Sequence, residues 1–181
     1  GVWRSSCRKV LTMAWMMLPD VKDIGIAHRK DTRFQQLVHH HETVSKEEHV
    51  NLIVKSFETS ADIPALMQQF KDEVELVMLF PAGLNDDDIN AFVRMQTELD
   101  LPVLSQLRQH IETGLLGGPT VDMTNVVPRL AEYIDKIFQG RTPDQLKTYE
   151  YIPRYVINLK AAQELDIKVP RRILRQSDIV N

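Results

Sequence analysis

Apolar residues along this chain alternate between a helical spacing and short unbroken runs, and that alternation sets the expected architecture. A helix is expected from about Ser6 to Leu18, ended by Pro19. Lys22 to His28 reads as a strand, because Ile24-Gly25-Ile26-Ala27 is a nearly continuous apolar run suited to burial on both faces. Thr32 to Ser45 fits a helix with Phe34, Leu37, Val38 and His41 on one side. Val50 to Phe57 alternates as a second strand. Ser60 is placed to cap a helix starting near Asp62, with Pro64 in its first turn and Ile63, Leu66, Met67 and Phe70 on its apolar side. Glu75 to Phe80 is the clearest buried strand. The loop from Pro81 to Asn85 leads into a helix carrying Ile89, Phe92, Val93 and Met95 and ending near Leu99. Leu101 to Leu104 is a short strand, Gln106 to Thr113 a short helix, and Leu115-Leu116 another short strand before Gly117-Gly118-Pro119.

Helix and strand thus alternate with short links, the pattern of a three-layer α/β fold of Rossmann type: a parallel sheet with helices on both faces. The loops that follow the strands then share one edge, where open α/β sheets bind ligands. The tail differs. Thr124 to Phe138 is an amphipathic helix stopped by Gly140, with Val127, Leu130, Ala131, Ile134, Ile137 and Phe138 on its apolar side. A strand from Tyr149 to Leu159, a helix to Leu165 and a last short helix from Arg171 complete the chain.

Composition narrows the class. A length of 181 residues suits one domain with a real core. The net charge of −3 gives no overall pull toward nucleic acid. The single cysteine, Cys7, excludes an intrachain disulfide and a cysteine-rich zinc site, and its place in an apolar helix reads as packing. Basic residues followed by the apolar run to Leu18 imitate a signal peptide, but Pro19-Asp20 ends the run without a small-x-small cleavage site. The first residue is Gly1 rather than Met, as expected of a processed or trimmed chain.

The motifs of common enzyme sites are missing. GxxxxGK[ST], GxGxxG and GxSxG do not occur. His39-His40-His41 lie consecutively on a helix and point in three directions, so they do not converge on a metal. Asp86-Asp87-Asp88 fit the negative first turn of a helix capped by Asn85. His28, Arg29 and Lys30 follow the first strand and Arg108 the fourth, so basic side chains gather on the ligand edge. No catalytic residue, cofactor or metal is expected.

The stretch from Tyr155 to Pro170, Tyr-Val-Ile-Asn-Leu-Lys-Ala-Ala-Gln-Glu-Leu-Asp-Ile-Lys-Val-Pro, resembles the ending of the ABC transporter substrate-binding proteins. Leu18-Pro19-Asp20-Val21-Lys22-Asp23-Ile24-Gly25-Ile26, Asp62-Ile63-Pro64-Ala65, Leu101-Pro102-Val103, Val121-Asp122 and Ile137-Phe138-Gln139-Gly140 are similar to further segments of that family, in the same order. The resemblance runs over essentially the whole chain. It implies one lobe of a type I periplasmic-binding fold, with residues 1–181 as a single α/β domain equivalent to the C-terminal lobe. The helix within residues 118–145 would then belong to an N-terminal lobe that this chain lacks, and its apolar face needs that lobe or a second copy as cover.

The implied function is non-enzymatic: a periplasmic or cell-surface component of an ABC transport system. It would hold a small molecule between two lobes and dock on the transporter's permease subunits. A ligand-sensing or interaction domain of a signalling protein is the alternative. By loop position, His28, Arg29, Pro81, Asn85, Gln106, Arg108 and Asp122 are the candidate ligand-binding residues. The loops depart from the family's pattern at Ala27-His28-Arg29-Lys30-Asp31, at Pro81-Ala82-Gly83-Leu84-Asn85-Asp86 and at Gln106-Leu107-Arg108, so the scaffold residues are kept while the binding loops are replaced.

Overall fold

The two apolar rhythms fold into helices packed on both faces of one sheet. A computed structural model describes residues 2–30, 35–80, 83–121, 123–147 and 153–181. The elements are α1 (Val2–Met17), β1 (Asp23–Arg29), α2 (Gln35–Glu47), β2 (Asn51–Phe57), α3 (Ile63–Lys71), β3 (Leu76–Leu79), α4 (Asp86–Leu99), β4 (Val103–Leu104), α5 (Arg108–Thr113), β5 (Gly117–Val121), α6 (Met123–Phe138), β6 (Pro153–Asn158), α7 (Leu159–Glu164), α8 (Arg171–Leu174) and β7 (Ser177–Val180). The sheet runs β2-β1-β3-β4-β5-β6-β7. Strands β1 to β5 are parallel, β6 is antiparallel to β5, and β7 is parallel to β6.

The unbroken apolar runs are buried on both faces, as their composition requires. Ile24 and Ile26 of β1 face α1 and α2, where Val10, Met13, Met17 and Val44 close one core. Ala27, with Val77 and Leu79 of β3, faces α3 and α4, where Ile63, Met67, Phe70 and Phe92 close the other. Phe70 and Phe92 are fully buried, and each contributes about 2 kcal/mol by leaving water. Gly25 makes room for this packing, since a Cβ there would stand 2.8 Å from the Phe70 ring. His41 turns inward with the apolar side of α2 and meets the Phe80 ring edge-on at 4.8 Å.

Helix ends follow local chemistry. Asn85 Oδ1 accepts the Asp88 N–H at 2.9 Å, and Asp88 Oδ2 accepts the Asn85 N–H at 3.0 Å, a reciprocal capping box. Ahead of α3, the expected cap shifts by one residue. A 3₁₀ turn at Ser60–Asp62 precedes the helix, and Asp62 accepts from the Thr59 N–H at 2.8 Å.

Two segments depart from expectation. The fifth strand lies at Gly117–Val121, after Leu115-Leu116, so the glycine pair is inside the sheet and not in a turn beyond it. The last strand, β7, is a short run that the hydrophobic pattern does not announce; it pairs with β6 from Tyr155↔Ser177 to Asn158↔Val180. The residues expected to open the α2 helix and the strand before Pro153, along with the side chain of Cys7, lie outside the description.

Gln96 ties α4 to the sheet. Its side chain is buried; Oε1 accepts the Val103 and Leu116 N–H groups at 3.0 and 3.1 Å, and Nε2 donates to the Gly114 carbonyl at 3.1 Å. Gln96→Leu keeps the volume and strips the Val103 N–H and the Gly114 carbonyl of their partner, while the Leu116 N–H keeps the Val103 carbonyl at 3.2 Å. It is expected to cost about 3 kcal/mol, read as a lower urea midpoint at unchanged slope. A loss under about 0.5 kcal/mol would show that water or a shifted backbone satisfies those groups instead.

Helix α6 stands apart from both cores. Val127, Leu130, Ile134, Ile137 and Phe138 are exposed, Phe138 at 85%. Among the described residues no helix is long and apolar enough to cross a membrane.

Candidate functional site

In this sheet β1 lies between β2 and β3, and the chain leaves the ends of β1 and β3 toward opposite faces, to α2 and α4. Such a switch point opens a crevice at the carboxyl ends of the strands. His28 and Arg29 end β1, Asn85 heads α4, and Gln106 and Arg108 follow β4. The fold therefore brings these five to one edge, as loop position implies. Pro81 and Asp122 lie outside the described residues.

Side-chain geometry sorts the five by what each is free to do. Arg29 is a fastener. Its Nη2 donates to both oxygens of Asp88, at 2.7 and 2.5 Å, and its Nη1 donates to the Glu58 carbonyl at 2.6 Å. The guanidinium also lies 5.6 Å from the Phe57 ring centre. Asp88 is fully buried, so one ion pair joins the ends of β1 and β2 to the start of α4. Asn85 spends its side-chain oxygen on the cap of α4. Arg108 donates to Glu112 at 2.7 Å and to Asp178 of β7 at 2.9 Å, and Arg154 of β6 reaches the other Asp178 oxygen at 2.9 Å. Arg108 is thereby aimed across the sheet end, still half-exposed. His28 is half-buried, with Nδ1 2.9 Å from the Arg29 carbonyl; a carbonyl only accepts, so Nδ1 carries the proton. Gln106 is half-buried in the loop after β4.

Sequence reasoning missed three features of this edge. Asp88 was legible as part of an acidic first turn but not as the partner of Arg29. Leu107 and Val121 present exposed apolar side chains after β4 and at the end of β5, an apolar surface beside the polar one. Ser105 and His110, both buried, are joined by a 2.9 Å hydrogen bond between Oγ and Nδ1, and the Leu107 N–H donates to the same Oγ at 3.3 Å. These bonds fasten the β4–α5 loop that carries Gln106 and Arg108.

Burial pushes the His110 imidazole below its ordinary value of 6.5, against a smaller upward pull from Asp86. A histidine depressed in the folded state takes up protons more readily once unfolded. Its contribution to stability is complete above the ordinary value and is lost as pH falls through it toward the lower folded value. Between about pH 7 and pH 5, wild type is therefore expected to lose more stability than His110→Gln. Equal pH slopes in urea unfolding would remove His110 as the cause.

Among the described residues no group of three or more His, Cys, Asp or Glu side chains is placed to hold a metal ion. A cleft of about 340 Å³, lined by Leu18, Val21, Glu75, Pro102 and Ile167 among others, sits at the opposite edge, at the starts of the strands. Its Glu75 is engaged by the Lys22 and Asp23 N–H groups at 2.7 and 3.1 Å. The ligand edge offers hydrogen-bonding and apolar side chains on rigid strand ends, an arrangement suited to reversible binding.

A family model described as ABC transporter substrate binding protein matches residues 5–181. No curated protein sequence matches the chain. Among solved structures, a substrate-binding protein with adhesive properties from Clostridium difficile, in its ligand-free open form, superposes with a TM-score of 0.83 at 15% identity, covering 97% of this chain and 60% of its own. The ABC domain from Streptococcus pneumonia in complex with L-Trp gives 0.76 at 16% identity, covering 99% and 60%. A conserved domain protein from Vibrio cholerae gives 0.75 at 19% identity, covering 97% and 60%. At these identities the likeness is one of fold, and the chain spans about 60% of the length of each.

Proposed function

Because this chain belongs to the ABC transporter substrate-binding protein family, we propose that it serves as the extracytoplasmic solute-binding component of an ABC transport system. Family members bind substrates and are not enzymes. The observation that carries the reading for this chain is the switch-point edge, where His28, Gln106 and Arg108 stand on strand ends braced by the Arg29–Asp88 and Arg108–Asp178 pairs. A small molecule held there touches polar groups from the ends of β1 and β4 and the apolar side chains of Leu107 and Val121. Docking on permease subunits follows from the same role.

The binding unit in this reading has two lobes. The exposed apolar stripe of α6 is the seat of the first lobe, supported by its five uncovered side chains and by the 60% share of each relative that this chain spans. Closure of two lobes by hinge motion then buries the ligand. Native mass spectrometry separates this from cover by a second copy: a dimer that falls apart in Leu130→Asp would place a copy of the chain on the stripe.

The test of binding is a thermal-melting screen against small solutes, with amino acids first because the pneumococcal relative is in complex with L-Trp. A true ligand at about a hundred times its Kd is expected to stabilise the chain by about 2.7 kcal/mol. Arg108→Ala and His28→Ala are each expected to shrink that shift at equal ligand concentration. A shift of unchanged size in both variants would remove these residues from the site.

A further inference from the structure

A cleft of about 450 Å³ lies between the polar side of α6 and the segment 141–147, away from the ligand edge. Among the described residues, Arg129, Lys136, Arg141 and Lys147 line it, together with Tyr133 and a single carboxylate, Glu132. Glu132 is already shared, its two oxygens 2.7 Å from Arg129 Nη1 and 2.5 Å from Lys136 Nζ. Arg141 and Lys147 have no ion pair among the described residues. Among the described residues, four cationic side chains thus face one carboxylate, on a chain whose net charge is −3. The charge surplus here is local and opposite in sign to the balance of the whole.

The cleft has a braced wall. The Tyr133 hydroxyl donates to the Lys147 carbonyl, and Gln145 Oε1 accepts the Thr142 N–H at 3.1 Å, so the segment 142–147 is held over the helix. The Tyr133 ring lies 5.9 Å from Lys136 Nζ and forms part of the floor. Helical spacing sets Arg129, Tyr133 and Lys136 in a stripe beside the apolar one, roughly 100° or more around α6 from Ile134 and Phe138, with Ile137 one turn after Tyr133 at the border.

We propose that this cleft is a binding site for a phosphate-type oxyanion, carried by a soluble phosphorylated molecule or by a phospholipid headgroup. A compact multivalent anion matches the donor set: guanidinium forks bind phosphate oxygens in pairs, and ammonium groups add point charge. A concave surface with one sign of charge concentrates such an anion from solution.

Binding of inorganic phosphate, followed by phosphorus NMR, and of phosphatidylglycerol vesicles, followed by co-sedimentation, is measured on the full chain, with phosphatidylcholine vesicles alongside. The expected result is salt-sensitive binding to phosphate, to the anionic vesicles or to both, weakened at least tenfold in Arg141→Gln/Lys147→Gln. Neither replaced side chain makes an ion pair among the described residues, so this variant is expected to melt as wild type does; Lys147→Glu serves as a second variant. Binding to phosphate without vesicles identifies a soluble source, and binding to vesicles without phosphate identifies the headgroup. The proposal is overturned if neither probe binds, if both variants retain binding in full, or if the only vesicle capture is equal for neutral lipid, which would be the apolar stripe of α6 at work.

Discussion

Gly118→Ala is expected to destabilise the fold by about 3 kcal/mol, at the upper end of what overpacking ordinarily costs. A Cβ at this position would lie 1.7 Å from the Ser105 carbonyl oxygen and 2.7 Å from its carbonyl carbon. Both are backbone atoms of the strand's immediate surroundings, so no side-chain rotation relieves the clash. The backbone at Gly118 is not in the left-handed region, and the requirement is one of space alone. The neighbouring Gly117 has the same character, its missing Cβ 2.7 Å from the Val156 carbonyl oxygen. Relief requires β4 and β5 to part, and Ser105 would move with them. The measurement is the urea midpoint at unchanged slope. A loss under about 0.5 kcal/mol would show that the two strands part readily enough to admit a methyl group.

Asp88→Ala is expected to cost about 4 kcal/mol. The carboxylate is fully buried, pairs with Arg29 through both oxygens and accepts the Asn85 N–H. Its removal leaves the guanidinium, only 26% exposed, without its counter-charge, and strips half of the α4 capping box. Arg29→Met is expected to be comparably severe, because it strands a buried carboxylate. The double variant Arg29→Met/Asp88→Ala is expected to recover a coupling of about 2 kcal/mol relative to the sum of the singles. Additive losses in a double-mutant cycle would show that the two side chains act separately. Solute binding provides a second reading, since the pair holds the end of β1 that carries His28.

Much of this architecture is legible in the amino-acid pattern because its causes are local. Ile24 to Ala27 and Leu76 to Leu79 are buried on both faces, as unbroken apolar runs between helices require. Asn85 caps α4 through bonds that reach only three residues along the chain. The gathering of the strand-end loops on one edge is legible too, because parallel strands joined by helices place their following loops together. What each edge residue does was not legible. Arg29 and Arg108 read alike as basic loop residues; the structure makes one an anchor on buried Asp88 and the other a half-exposed arm between Glu112 and Asp178.

The sequence by itself determined the order and kind of most elements, the double burial of β1 and β3, the amphipathic character of α6 and the family. Periodicity and capping act over a few residues, and such signals survive without knowledge of the fold. Only the tertiary structure decided that Gly117-Gly118 lie inside a strand, that the end of the chain returns as β7, and that Arg29 is bonded to a residue 59 positions away. Those outcomes depend on which backbones meet across the sheet, a matter of distant pairing that leaves no trace in local spacing.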